Sequence, residues 1–436
     1  MQVWIDAQSP ASGLRLFGMP LLERLLRALV EAGLEPSRVP IATRDRASLP
    51  PIPEDLARVL PLHFSDSGAH GSGPDRGDAL WEAVRRAQGE TVLALEGDCV
   101  VDPRLLRELG RRSESLAVLG GQGRERAAVL LWTRPLHTSD TGACEPLDLV
   151  RRADRALARG DVDELDRQEL DAYLPKLRRT LVPYLFRVPD RASAARAERF
   201  LFDANYKGST DFFTRYVYPP LVWRLVRPLA RWRVHPNWVS LLNVVITLGA
   251  IPLFASAHWI AGLTLAYSMS VLDSVDGKLA RLSFRASKLG HVLDHGLDVV
   301  HPPMWYLAWA WGLGARDLST PLLQAGLWML AFYVLDRLVT QAFTWRVGRS
   351  IHGYTALDRR LRTVISRRNI NLPIFTLGLV IGEAPAAFLA IVAWQLVTLL
   401  FHAVRLVQVS HTLLGQGDTA SSAERAASQN RPGARR

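Results

Sequence analysis

From Pro236 onward the chain is a succession of apolar stretches, roughly 238–256, 258–277, 291–314, 322–345, 371–383 and 386–408, joined by short connections. Most are long enough for a helix to cross a bilayer, and the short fifth is expected to begin a few residues earlier than its apolar run. An all-α membrane bundle of six transmembrane helices is the fold that follows for this half. Charge is distributed unevenly among the connections. One holds Lys278, Arg281, Arg285 and Lys288; another holds Arg346, Arg349, Arg359, Arg360, Arg362, Arg367 and Arg368. The segment before the first stretch is also arginine-rich, whereas the connections near Ser256, Arg316 to Pro321 and Gly382 to Ala386 are short and almost uncharged. Cytoplasmic connections carry the excess of Lys and Arg, so the basic connections and both termini are expected on the cytoplasmic side of a cell's inner membrane.

Set into the second and third stretches is DSVDGKLARLSFRASKLGHVLDHGLD, residues 273–298. On helices, Asp273 and Asp276 share one face, as do Asp294 and Asp298. Two such helices side by side would gather four carboxylates, which cannot all remain ionised unless cations lie between them. Hard oxygen ligands of this kind suit Mg²⁺ or Mn²⁺. Ionisable groups at membrane depth are costly to place and usually functional, which favours a working site over acids stranded at helix ends.

The spacing D-x2-D-G-x2-A-R-x8-G-x3-D-x3-D is met at every fixed position, and in this the chain resembles the CDP-alcohol phosphotransferase family. Family members are membrane-embedded enzymes that move a phosphoalcohol, or phosphatidyl, group from a CDP-linked donor to an acceptor hydroxyl and release CMP. The resemblance implies two divalent cations held by Asp273, Asp276 and Asp294, with Asp298 at the metal site or as the catalytic general base. It also implies donor binding at Gly277, Ala280, Arg281 and Gly290. Gly277 and Ala280 lack bulk where a nucleotide would approach the backbone, although small residues also let membrane helices pack closely. Arg281 can pair with phosphate oxygens. Lys207, Arg285 and Lys288 are candidate acceptor or phosphate contacts. The acceptor stays open among inositol phosphate and other alcohols, and a homodimer is a further expectation.

The first 193 residues read differently. Short apolar runs (Val3 to Ile5, Val39 to Ala42, Thr91 to Leu95, Ala127 to Trp132) alternate with helical patterns at Pro20 to Ala32 and Ala79 to Ala87. This alternation predicts an α/β domain with a largely parallel sheet. GLRLFGMPLLERLLRALVEAG and VLALEGDCVVDPRLL resemble nucleotidyltransferase domains, with Asp98 at the position of a metal-binding aspartate. The glycine-rich loop that should follow the first strand and lead into a lysine is absent: DAQSPASGLRLFGMP has Gly13 and Gly18 apart and no lysine. The domain is therefore expected not to make a CDP-linked donor. Ser65 to Gly77 reads as a polar loop, and Leu147 to Leu174, dense in charge, as surface helices.

Residues 194–236 form the junction. Phe212, Phe213, Tyr216 and Val217 with Arg215, Arg224, Arg227, Arg231 and Arg233 predict an interfacial helix, interrupted at Pro219 and Pro220. YKGSTD resembles the junction in fused inositol-phosphodiester synthases. The phosphotransferase half is bounded at 237–410, and the small polar residues of 411–436 predict a disordered tail. Asp336 and Arg337 within the fourth stretch are expected to pair with polar groups in the bundle. His291, His295 and His301 are expected to pack rather than bind metal, since hard cations prefer oxygen.

The net charge of +11 is mostly arginine, which suits phosphates. Its concentration beside apolar stretches argues for a lipid bilayer as partner and against nucleic acid. Cys99 and Cys144 have no paired spacing, so neither a disulfide framework nor a thiolate site is expected, and MQVWIDAQSP does not read as a cleaved signal. The competing reading is a membrane-anchored nucleotidyltransferase or glycosyltransferase whose chemistry lies in the first domain.

Overall fold

The computed structural model describes residues 1–66, 80, 84, 87, 89–133, 149–175 and 177–429, without the side chains of His291, Asp294, His295, Asp298 and 413–429. Most of the loop expected at Ser65 to Gly77 and of the helix expected at Ala79 to Ala87 lies outside the described residues, as does Cys144. The chain divides into two compact units. One comprises Met1–Tyr206, Arg227–Val234 and Lys278–Arg285; the other comprises Lys207–Val226, His235–Gly277 and Ala286–Arg436.

The first unit is built on a seven-stranded sheet. Gln2–Asp6 is an inner strand, parallel to Val39–Thr43 on one side and to Val92–Glu96, the middle strand, on the other. Leu62–Asp66 extends the parallel part, while Ala127–Trp132 runs antiparallel to both of its neighbours. Alternate residues of each strand face opposite layers. Val3, Ile5, Leu93 and Leu95 pack with Leu22, Leu25 and Leu29 of helix Leu21–Ala32. Trp4, Ala94 and Leu130 pack with Leu149, Ala153 and Ala156 of helix Leu149–Arg159. With both faces covered, the central strands read as continuous apolar runs. Among the described residues of the stretch expected to hold surface helices, one α-helix forms, Leu149–Arg159, and its apolar face is buried against the sheet; beyond it come short strands, turns and the 3₁₀ helix Arg167–Glu169.

Two later segments complete this unit. Buried Glu198, on helix Arg191–Ala204, accepts the Phe17 backbone N–H at 2.8 Å and Arg227 Nε at 2.9 Å. Gly18, at φ +76°, lies so close to Arg231 that a Cβ there would stand 2.7 Å from the Arg231 Cα. Only glycine combines that backbone conformation with that approach.

The second unit is helical. Its principal helices are Pro236–Ala255, Trp259–Leu282, Lys288–Leu313, Pro321–Val347, Arg368–Val380 and Ala384–Gln429, close to the six expected stretches; the last turns of Trp259–Leu282 belong to the first unit. Three of the six, Pro236–Ala255, Pro321–Val347 and Ala384–Thr412, are long and apolar enough to cross a membrane. The two motif helices fall short because they carry the charged motif, and Arg368–Val380 because of its 13 residues. Every one of the six contributes to one apolar core, including Phe254, Met269, Trp305, Trp309, Met329, Phe375 and Phe388. Trp309 stacks on Phe375 with centroids 4.2 Å apart.

Upstream, a π-helical turn at Phe213–Val217 precedes helix Tyr218–Arg231, with Pro219 and Pro220 in its first turn, where a missing N–H is tolerated. The last helix continues to Gln429, past the boundary expected near 410; after Pro385 in its first turn, the sequence meets no proline before Pro432.

Candidate active site

The first motif helix, Trp259–Leu282, places Asp273 and Asp276 three residues apart on one face. Asp276 is buried. Its Oδ2 accepts Ser240 Oγ–H at 2.8 Å, and its Oδ1 accepts the Gly277 backbone N–H at 2.6 Å. Asp273 lies one turn away. Its Oδ2 accepts Arg368 Nη2–H at 3.0 Å.

His301 holds that arginine from the other side. Its Nδ1 lies 2.6 Å from the Leu297 carbonyl, to which it must donate, so Nε2 is left to accept Arg368 Nη1–H at 3.0 Å. His301 is thus a neutral positioner of Arg368 and packs on Trp305.

Helix Pro236–Ala255 runs antiparallel to the first motif helix. The Ser240 hydroxyl on Asp276 fixes one end of the register and Phe254 against Gly262 the other. By that register Asn243, one turn beyond Ser240, is level with Asp273. Asn243 is buried, and among the described residues its amide oxygen has no hydrogen-bond partner. A buried acceptor without a partner is costly, which suits a place meant to receive a cation or a ligand donor.

The second motif helix, Lys288–Leu313, carries Asp294 and Asp298 one turn apart, with side chains outside those described. Among the described residues no three His, Cys, Asp or Glu groups converge. The chemistry of the oxygen donors present nevertheless fits a hard divalent cation: two carboxylates on adjacent turns, a serine hydroxyl and an amide oxygen that has no partner among the described residues.

The other expected residues are placed as follows. Gly290 sits in the first turn of its helix, where the N–H donates to the N-cap Ser287 Oγ at 2.9 Å. A Cβ at Gly290 would meet Ser287 Oγ at 3.1 Å and Asn237 Oδ1 at 3.2 Å, so the position is small for packing whatever else it contacts. Lys288 and Lys207 are exposed, and Arg285 donates to the Arg233 carbonyl at 3.0 Å. Ala280 is half-buried, and Arg281 is exposed and hydrogen-bonded to Asn205. Asp336 pairs with His402 at 2.6 Å and Arg337 donates to Tyr333 Oη at 2.8 Å, the polar pairing the sequence led us to expect.

Sequence reasoning missed Ser240, Asn243, Arg368 and His301 as partners of the motif. Ser240, Asn243 and Thr247 recur at helical spacing along an otherwise apolar stretch, and that stripe was a readable signal. Nothing distinguishes Arg368 from its neighbouring arginines until packing selects it.

A second acidic centre lies in the first unit. Buried Asp98, beyond strand Val92–Glu96, receives Arg187 Nε at 3.0 Å on one oxygen and Nη2 at 2.8 Å on the other. Arg187 also stands 3.2 Å from Glu96. Asp6, at the end of strand Gln2–Asp6, has its carboxyl pushed above the usual range, first by burial and further by the charge of Asp98, while a hydrogen bond from Gln8 opposes the shift. The segment after that strand is a 3₁₀ turn, Pro10–Gly13, capped by Ser9. A metal ion does not fit at Asp98, because a guanidinium fork already occupies both of its oxygens.

Residues 233–414 match the family model described as CDP-alcohol phosphatidyltransferase. Over 142 residues the chain is 34% identical to the bifunctional IPC transferase and DIPP synthase of Archaeoglobus fulgidus, covering 30% of this chain and 28% of that one. It is 25% identical over 166 residues to the archaetidylinositol phosphate synthase of Aeropyrum pernix, covering 38% of this chain and 80% of that one. The crystal structure of Mycobacterium tuberculosis phosphatidylinositol phosphate synthase with CDP-DAG bound aligns with 43% of this chain and 94% of its own, at 18% identity and a TM-score of 0.35. The match to the first of these relatives spans under a third of its length. The aspartate motif and the helices that carry it lie within residues 233–414, the stretch that matches the CDP-alcohol phosphatidyltransferase family model.

Proposed function

We propose that this chain is a membrane-embedded transferase that moves a phosphoalcohol or phosphatidyl group from a CDP-linked donor to an acceptor hydroxyl, releasing CMP. One observation carries the reading: Asp273 and Asp276 stand on adjacent turns of a bundle helix, each engaged by a polar partner, with Asp273 level with an Asn243 oxygen that has no partner among the described residues. All six principal helices cross the bilayer, with the motif facing the cytoplasm, as the basic connections support. Helix Tyr218–Arg231 and the turn before it lie at the interface, where Phe212, Tyr216 and Leu221 are exposed alongside the arginines.

Asp273, Asp276, Asp294 and Asp298 would hold two Mg²⁺ or Mn²⁺ ions, which when bound would supply neutralisation of charge on the donor's phosphates. Ser240 keeps the carboxylate of Asp276 in place before a donor arrives, while Arg368 balances the charge of Asp273 until a metal cation displaces it. Gly277 and Ala280 leave room beside the backbone for the nucleotide, and Arg281 contacts a phosphate oxygen. Asp298 takes the proton of the acceptor hydroxyl. The named relatives favour an inositol phosphate as acceptor.

The first unit is a nucleotidyltransferase-like domain that does not synthesise the donor, a reading supported by Arg187 on Asp98 and by the 3₁₀ turn in place of a glycine-rich phosphate loop. That arrangement also weighs against the competing reading, in which the chemistry resides there. Purified protein in lipid nanodiscs, given a panel of CDP-linked donors and hydroxyl acceptors with Mg²⁺, tests the proposal. Release of CMP that requires both substrates is expected; no CMP from any pairing would overturn it.

A further inference from the structure

Helix Arg191–Ala204 ends at Asn205, and the two residues that follow it reach the stretch Lys278–Arg285 of the same compact unit. Asn205 is itself held: its Nδ2 donates to the Leu201 carbonyl at 2.8 Å, which turns Oδ1 outward. That Oδ1 accepts Arg281 Nε–H at 3.0 Å, and the Asn205 carbonyl accepts Nη2–H at 3.4 Å. Beside it the Tyr206 ring lies 3.6 Å from the ammonium of Lys278, which is buried. The end of one helix therefore fixes two cations of the aspartate motif.

An arginine on a helix end ordinarily samples many rotamers, and ordering it on a ligand weakens binding. Two hydrogen bonds from one residue fix the plane of the guanidinium in advance, and Arg281 remains exposed. We propose that Asn205 is a positioning residue for the phosphotransferase: it orients the Arg281 guanidinium toward the donor's phosphates. The inference rests on the reading of Arg281 as a donor contact. It also gives the first unit a task that needs no chemistry of its own, since its fold places Asn205.

The test is calorimetric titration of the full-length protein in nanodiscs with CDP and Mg²⁺, alongside donor KM, kcat and the thermal midpoint. Asn205→Ala is expected to raise Kd for CDP and donor KM about tenfold, with kcat changing less than twofold and the midpoint by less than about 2 °C. Arg281→Lys keeps the charge but loses the Nε–H, and is expected to match Asn205→Ala. Arg281→Ala should weaken binding about a hundredfold, and adding Asn205→Ala to it should cost nothing more, because Asn205 acts through that side chain. Native CDP affinity in Asn205→Ala beside weakened binding in Arg281→Ala would overturn the positioning role and leave the donor reading standing. Native affinity in Arg281→Ala would remove both. A double variant weaker than Arg281→Ala alone, or a fallen thermal midpoint with KM and kcat affected alike, would make Asn205 merely structural and overturn the proposal.

Discussion

The chain holds two acidic centres of similar composition, and their surroundings give them opposite prospects. In the sheet unit, Arg187 takes both oxygens of a fully buried Asp98 and reaches Glu96 as well. In the helical unit, Arg368 engages one oxygen of Asp273, and Asp276 is held by a neutral serine and a backbone N–H. A bidentate fork brings a full positive charge to both oxygens of a carboxylate; a hydroxyl orients a carboxylate without adding a charge. Whether an aspartate can serve a cation is thus decided by its neighbours.

The largest effect that could break this contrast is on turnover. Asp273→Asn or Asp294→Asn should reduce CMP release by about a thousandfold or more, since metal-assisted stabilisation contributes several kcal/mol to such barriers. Near-native turnover, followed by mass spectrometry, would separate the carboxylates from the chemistry.

Stability should show the reverse pattern. Arg187→Ala strands Asp98 and Glu96 as buried charges and should cost about 3 kcal/mol, read as a lowered thermal midpoint. Adding Asp98→Asn should recover much of that loss. A fully additive double variant would mean that the fork is not what balances Asp98.

Arg368→Ala sharpens the comparison from the other side. It removes a cation that competes for Asp273, so Mn²⁺ affinity measured by electron paramagnetic resonance should rise about fivefold, equivalent to about 1 kcal/mol. Weaker Mn²⁺ binding would mean that Arg368 supports the site instead of competing in it. Asn243→Leu, which removes the unpaired amide, should lower Mn²⁺ affinity a few-fold while leaving stability unchanged or slightly raised.

The smallest effect concerns pH. Burial raises the Asp6 carboxyl, so the folded unit binds that proton more tightly than the unfolded chain does. Its contribution to stability is present at acid pH and is lost as pH rises from the ordinary carboxylate range through the raised value. Asp6→Asn should flatten this decline by a few degrees in midpoint as pH rises above the ordinary carboxylate range. An unchanged profile would show that Asp6 titrates normally.

Much of this was legible in the residues. The strands at Val3, Val39, Val92 and Ala127 announced themselves because both sheet faces are covered, leaving unbroken apolar runs. The four aspartates stood out because acids are scarce in apolar stretches. Partners were less legible. Arg368 is 95 residues from Asp273, and Asn205 is 76 from Arg281. Tertiary packing brings such pairs together, and no local periodicity encodes them. Arg187 also escaped notice, 89 residues from Asp98 on a strand with no other mark of function. The long final helix went unread because its Ala-, Ser- and Gln-rich end reads as tail by composition, although none of those residues breaks a helix.

The central claim is that the chemistry belongs to Asp276 and its companions and not to Asp98. CMP release by the full-length protein in nanodiscs, with its best CDP-linked donor and acceptor and saturating Mg²⁺, tests it when Asp276→Asn and Asp98→Asn are compared side by side. The account predicts CMP production abolished by Asp276→Asn and kept within about twofold in Asp98→Asn. Undiminished CMP from Asp276→Asn, or its loss in a folded Asp98→Asn alone, would contradict it.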